Sequence, residues 1–308
     1  MKIIPVIIWY NPKNVKTDFG TAIDNIKSYS DFFDNVIIVD NSSEDNTNLA
    51  ALIPNSIYIP NLKNMGIAKA QNIGCEKAIE LGYNWCMTMD QDSHWEKAEI
   101  QTFLKAVQKY SALNNFYSFG PRIDCPNIDS IVSSCLKKSF AYKLLKNLKN
   151  SLEKNKQTNF ADFEKDFEFK NILFSSGNIF SLQKWKEVGK FREDFFIDQV
   201  DHDFCLKLNS TYPNSIIRFT KIKLNHNLGT IKKTFFSRLD FHDGVRLYYC
   251  VRNTLYLTES FPDVGRKLNK GNLKIFFQNL RDFKFSNAMY MIKGYLAYKK
   301  RITGKYNG

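Results

Sequence analysis

The chain has 308 residues, 44% hydrophobic and 15% aromatic, enough for one large core or for a core with an appendage. No run reaches the roughly 18–20 apolar residues of a membrane span. The six cysteines, at 75, 86, 125, 135, 205 and 250, form no C-x-x-C pair, which argues against a disulfide framework or a zinc site and for a reducing cytoplasm.

The formal charge of +13 is uneven. Residues 137–159 carry seven Lys against one Glu, and residues 261–308 carry eleven Lys or Arg against two Asp. The basicity therefore belongs to two appendages, which can meet nucleic acid, anionic lipid or phosphorylated substrates.

In chain order, MKIIPVIIWYNPK lacks a small-residue cleavage site and reads as a buried first strand rather than a signal peptide. Strands are expected at 3–10, 35–40, 56–60, 84–90 and 115–120, alternating with helices at 18–30, 43–52, 65–82 and 96–110. Such β-α repeats imply a parallel, right-handed, doubly wound sheet, with ligands at the carboxyl ends of the strands. Residues 137–165, rich in Lys and Asn, read as a basic insertion. Beyond it come a strand at 171–180, a short helix from Leu182, a helix starting near Gln199, and strands in SIIRF and KIKLNHN. From Thr230 the chain reads as helical to its end, with breaks at Pro262 and Gly271. This divides it into 1–230, with 1–125 and 166–230 as its halves, and 231–308.

Acids gather at the predicted strand ends. In MTMDQDS, Asp90 and Asp92 can share one cavity as hard ligands for Mg2+ or Mn2+. The same stretch also suits a helix cap, with Ser93 and Glu96 as a capping box. Asp40, in VDNSSEDNT, ends a strand before a polar loop and suits a base or sugar, or an ordinary turn capped by Ser42 or Ser43. In NLKNMGIAKAQNIG, Asn64 and Gly66 precede a helix whose Asn72 wants a partner. FIDQVDHDFCLKL sets Asp198, Asp201 and Asp203 at a helix start, where the dipole keeps a carboxylate ionised, as a general base or as caps. His226 in LNHNLG can be a nitrogen ligand or a structural residue, and Arg246, Tyr249 and Arg252 form a phosphate clamp or a basic helix face. The P-loop, dinucleotide, zincin and serine-hydrolase signatures are absent.

The order of these stretches resembles family 2 glycosyltransferases of the GT-A fold, most closely the rhamnosyltransferase-like branch. The matching segments are VIIWYNP, VDNSSEDNT, NMGIAKAQNIG, MDQDS, SSGNIFSL, FIDQVDHDFCLKL, NHNLG and RLYYCVRN. The resemblance implies a mostly parallel, mixed α/β sheet with a C-terminal helical appendage. It implies an inverting, metal-dependent transfer of a sugar, with dTDP-rhamnose favoured, to a saccharide hydroxyl in bacterial cell-surface polysaccharide synthesis. UDP-sugars are the alternative donors. It gives Asp40 the base or ribose, Asp90 the ribose or a metal-bound water, and Asp92 and His226 the Mg2+ or Mn2+. Asn64, Gly66 and Asn72 join the nucleotide-sugar site, Gly177 and Asn178 the sugar floor, and Arg246 or Arg252 the diphosphate. Asp201 aligns with the catalytic base. Val200 stands where many members have Glu, which leaves Asp203 as the fallback.

Apolar residues interleave with Lys and Arg over 271–302, as in helices that lie on an anionic bilayer, and acceptors in this family are often lipid-linked. Three rivals remain. A sugar-nucleotidyltransferase would want a Gly-rich basic loop where YNPKNVK stands. A nucleic-acid-binding protein gives no reason for acids at strand ends. A non-catalytic sugar-nucleotide-binding protein shares every feature.

Overall fold

The computed structural model describes residues 1–113, 115–125, 166–226, 232–233, 239–240 and 244–308. The expected basic insertion at 137–165 lies outside the described residues.

The first strand, β1 (Ile3–Trp9), is followed by a small hairpin, β2 (Lys16–Thr17) and β3 (Gly20–Thr21), and by α1 (Ala22–Lys27). A capping box starts α1: Thr21 Oγ1 accepts from Asp24 N while the Asp24 carboxylate accepts from Thr21 N. Next come β4 (Val36–Asp40), α2 (Thr47–Ala50), β5 (Ser56–Pro60), α3 (Ile67–Glu80), β6 (Trp85–Asp90), β7 (Ser93–His94) and α4 (Lys97–Ser111). The chain continues through β8 (Ser118–Asp124), β9 (Phe167–Phe169), β10 (Asn178–Ser181), α5 (Leu182–Glu187), α6 (Val200–Thr211) and β11 (Ile216–His226). A short ladder, β12 (Lys232–Lys233) with β13 (Leu239–Asp240), precedes α7 (Val245–Ser260), α8 (Pro262–Arg281) and α9 (Phe285–Lys299).

The main sheet has the order β5-β4-β1-β6-β10-β8-β11-β7, with β9 also paired to β11. The strands β5, β4, β1 and β6 are mutually parallel, as βαβ crossovers require. The sheet turns mixed at β10, which runs antiparallel to both β6 and β8. Alternate side chains feed two cores. Ile4, Val6 and Ile8 of β1 meet α3, α5 and α6, whereas Ile7 and Trp9 meet the side of α1 and α4. Helix α3 lies close on β1: a Cβ at Gly74 would come within 2.3 Å of Val6 Cγ1.

Several boundaries differ from the sequence reading. Of the expected strand at 171–180 only 178–180 pairs, in a strand that runs to Ser181, because it starts after a turn at Gly177, whose φ is +78°. SIIRF and KIKLNHN fuse into one strand, β11, with a register shift between Arg218 and Lys223. The helical reading from Thr230 fails over the β12–β13 ladder. Gly271 does not break α8; the chain turns instead at Asp282–Lys284, where Phe283 takes φ +56°. A solvent-facing Gly costs a helix about 1 kcal/mol, which neighbouring turns can absorb.

The C-terminal helices are not independent of the sheet. Tyr256 and Leu257 of α7 enter the main core, while Leu247, Val251 and Met291 form a smaller one between α7 and α9. No described helix is long and apolar enough to cross a membrane. Among the described residues, Cys75, Cys86, Cys205 and Cys250 are in no disulfide.

Candidate active site

Strand register brings the first acids together. Trp9 pairs with Asp40 on one side of β1, and Ile8 pairs with Asp90 on the other, so both carboxylates stand at the same edge. The chain bends after Asp90. Gln91 ties that bend to β1 through two hydrogen bonds, Tyr10 N to its Oε1 at 3.1 Å and its Nε2 to Tyr10 O at 3.0 Å. Then β7 pairs antiparallel with the end of β11, His226 opposite Ser93. This pairing delivers His226 beside Asp92, with Nδ1 3.6 Å from Oδ1. Asp90, Asp92 and His226 each offer a ligand atom, all within 4.8 Å of one another.

The electrostatics suit a cation. Burial lifts the Asp90 carboxyl to about 6; His226 pulls it down, and the charges of Asp92 and Asp201 push it further up. Burial also raises Asp92, with His226 acting against it. Two half-buried carboxylates beside one imidazole crowd negative charge that a divalent ion relieves. Oxygen donors with one borderline nitrogen match Mn2+ or Mg2+. The donor set therefore fits the implied metal.

Ser93 is not a helix cap. Glu96 occupies the N-cap position of α4 without a side-chain cap bond. Ser93 is fully buried, with its Oγ 2.7 Å from His226 Nδ1 and 2.6 Å from Ser176 Oγ. Ser176 in turn accepts from Asp90 N at 3.4 Å. This chain of hydroxyls fixes the imidazole relative to the carboxylates. Sequence reasoning missed it, since no local signal links residues 93, 176 and 226.

The two acids of α6 separate cleanly. Asp201 Oδ1 accepts from His202 N and lies 2.9 Å from His202 Nδ1. Burial pushes the Asp201 carboxyl up, but His202 outweighs it and holds the group below the usual range. Conversely, burial pushes His202 down and Asp201 raises it above the ordinary histidine value. Asp203 is fully buried, with Oδ2 2.6 Å from Lys207 Nζ and Oδ1 3.9 Å from Arg192. Burial raises its carboxyl, and its charged neighbours are Lys207, Arg192 and Asp194, none of them in the metal cluster. Of the two, only Asp201 is among the charges felt by Asp90.

The two arginines separate as well. Arg246 pairs with Asp198 at 2.6 Å, and its charge reaches both Asp90 and Asp92. Arg252 does not face the cluster. It is fully buried, donating to the carbonyls of Gly304 at 2.7 Å, Phe195 at 3.0 Å and Asp194 at 3.2 Å, with Tyr248 and Tyr249 against its guanidinium. Asn253 adds bonds to the carbonyls of Phe195, Ile197 and Asp198. Together they hold the turn that leads into Asp201.

The remaining expected residues lie deeper. Asp40 accepts from Ser42 N and Oγ on one oxygen and from Asn46 Nδ2 and Tyr58 on the other, so it shapes the 41–46 loop. Asn64 Oδ1 accepts from Gly66 N, and Gly66, at φ +86°, has no room for a Cβ against Phe196. Asn72 bonds both N and O of Phe191 and thus fastens α3 to the segment before α6. Asn178 is buried and accepts from Ser118 Oγ at 2.7 Å; with Gly177 it forms the turn beside Thr88.

The family model for Glycosyl transferase family 2 matches residues 6–168, more than half of the chain. The chain therefore belongs to that family and is a glycosyltransferase. It is similar to the dTDP-rhamnosyl transferase RfbF of Shigella flexneri, 29% identical over 83% of this chain and 79% of that protein. In fold it is similar to residues 1–349 of S. aureus TarS in complex with UDP-GlcNAc, with TM-score 0.51 and 13% identity over 84% of this chain and 67% of that one. GalNAc-T7 with UDP, GalNAc and Mn2+ gives TM-score 0.50 and 10% identity over 73% of this chain and 44% of that one. The longer TarS chain is spanned to only 37% of its length. These likenesses identify a GT-A fold.

Proposed function

We propose that the chain is an inverting, divalent-metal-dependent rhamnosyltransferase. It takes L-rhamnose from dTDP-rhamnose and delivers it to a saccharide hydroxyl during bacterial cell-surface polysaccharide synthesis. The observation that carries this is the convergence of Asp90, Asp92 and His226 at the edge of the sheet where Asp201 also acts. The relative named dTDP-rhamnosyl transferase supports the choice of donor.

Asp92 and His226, with Asp90, would hold Mg2+ or Mn2+, which when bound stabilises the charge growing on the nucleoside diphosphate leaving group. Arg246, kept in place by Asp198, adds positive charge on the same side. Asp201 takes the proton from the acceptor hydroxyl. Its ionised form is favoured by His202, so it is ready as a base at neutral pH. A single base opposite the leaving group gives attack in line and inversion. Asp40, Asn64, Gly66 and Asn72 shape the nucleotide side, and Gly177 and Asn178 the floor.

We assign this chemistry to 1–230 and contact with the inner face of a cytoplasmic membrane to 231–308. Phe283 and Phe285, 79% and 62% exposed at the turn between α8 and α9, support such contact, as does the charge of the tail. A lipid-linked saccharide acceptor fits that placement.

The test is a donor panel of dTDP-rhamnose and UDP-sugars with Mn2+ or Mg2+, reading nucleoside diphosphate release and product anomer. UDP-sugars belong in it because the TarS neighbour binds UDP-GlcNAc. dTDP release that is lost on chelation and in Asp92→Ala supports the reading. Release only from a UDP-sugar moves the donor, and no turnover or binding of any sugar nucleotide overturns it.

A further inference from the structure

Between α7, α8 and α9 lies an open cavity of about 430 Å3, lined by none of the residues assigned to the active site. Its size lies within the range of about 300–1,000 Å3 typical of ligand pockets. Val251, Leu255, Phe276 and Met291 form its walls, and Leu273, Ile292 and Tyr295 reach its mouth.

Two amides also line it, and both are engaged within the protein. Asn269 Nδ2 donates to Thr258 Oγ1 at 2.9 Å, and Asn272 Nδ2 donates to the Cys250 carbonyl at 3.3 Å. A water needs about two to four polar partners to settle, and these walls supply few. What such a space favours is hydrocarbon.

The mouth has a matching polarity pattern. On α8, Lys270, Leu273, Lys274 and Phe277 follow the i, i+3, i+4, i+7 spacing of one helix face, and all four are exposed. On α9, Ile292, Tyr295, Leu296 and Lys299 repeat that spacing, again all exposed. Lys270, Lys274 and Lys299 have no acidic partner among the described residues. An apolar opening flanked on the same helix faces by lysines without acidic partners complements an anionic headgroup above a hydrocarbon tail. A second copy of the chain fits less well, because a two-fold contact would set these lysines against one another.

We infer that this cavity is a lipid site, which takes one hydrocarbon chain of an anionic lipid while Lys270, Lys274 and Lys299 hold the headgroup. The inference deepens the membrane contact proposed above and rests on it only for the source of the lipid.

The test uses the full-length protein and two readouts. The first is fluorescence titration with cis-parinaric acid, a single-chain anionic probe, with lyso-phosphatidylglycerol as competitor. The second is flotation with phosphatidylcholine vesicles, with and without phosphatidylglycerol. Expected are saturable one-to-one parinaric binding, displacement by the competitor, and weakening by about tenfold or more in Val251→Phe, which fills the cavity. Lys270→Glu with Lys274→Glu should weaken it as well. Should Val251→Phe fail to fold, Ile292→Trp blocks the mouth from an exposed position and serves in its place. Parinaric binding without flotation supports the lipid site and overturns the membrane contact. No saturable binding, binding indifferent to cavity filling, or a dimer that filling converts to monomer each overturns the lipid site.

Discussion

The Oγ of Ser93 lies 2.7 Å from Nδ1 of His226, and this contact joins the bend after β6 to the last residue of β11. It ties the imidazole to a buried hydroxyl and fixes the ring beside Asp92. In Ser93→Ala the ring loses that anchor. Apparent Mn2+ affinity should fall about 10–100-fold, as for other groups that orient a metal ligand. Isothermal titration calorimetry measures it. Unchanged affinity would mean that the hydroxyl serves only the fold.

The second prediction concerns pH and Asp90. Its ordinary value is 3.8, and burial lifts it to about 6 in the folded protein. Between these values the folded chain keeps a proton that the unfolded chain has released. Metal-free stability from this group is therefore highest below 3.8 and declines as pH rises towards about 6. Cation binding has the opposite slope, since the ligand must be ionised. Mn2+ affinity should be flat above pH about 7 and fall by roughly tenfold per unit below about 6. Denaturant melts without metal and Mn2+ titrations across this range check both slopes.

The third separates the two acids of α6. Asp201→Asn removes the proposed base and should lower kcat by about 10^2–10^4-fold with the melting temperature little changed. Asp203→Asn unpairs a part-exposed Lys207 but also removes a buried charge that folding disfavours, so it should shift stability by only about 1 kcal/mol. Turnover per folded molecule should survive that change. The reverse pattern would make Asp203 the base.

The fourth separates the arginines in the same way. Arg252→Met strands the carbonyls of Asp194, Phe195 and Gly304 and should destabilise the protein by about 3 kcal/mol, with the donor KM unchanged per folded molecule. Arg246→Met leaves the fold intact and should raise the donor KM or lower kcat. Thermal melts alongside steady-state kinetics distinguish the two.

Much of this was legible beforehand for a physical reason. The strands β1, β4, β5 and β6 are short apolar runs, and a buried parallel strand can hardly be anything else. Asp40 and Asp90 end two of them, and the rule for parallel sheets puts such residues at the ligand edge. Asn72 reads as a helix residue in want of a partner, and Phe191 and Glu193 supply its bonds. The failures share a cause too. Ser93 satisfies every local rule for a cap, yet β7 pairs with a strand 133 residues away, and that pairing takes the hydroxyl. Gly271 looked like a break, but the turn formed at Asp282–Lys284 instead.

The amino-acid sequence alone determined the alternation of strand and helix, the acids at strand ends and the family, because these depend on periodicity and on short contiguous motifs. The docking of helices decided the rest. Asp201 and Asp203 lie about 200° apart around α6, and Arg246 and Arg252 about 240° apart around α7. Which of each pair meets the cluster therefore follows from the rotation of a helix against the sheet. That rotation is set by Phe204, Leu208, Tyr256 and Leu257 entering the core, a condition no local stretch of residues contains.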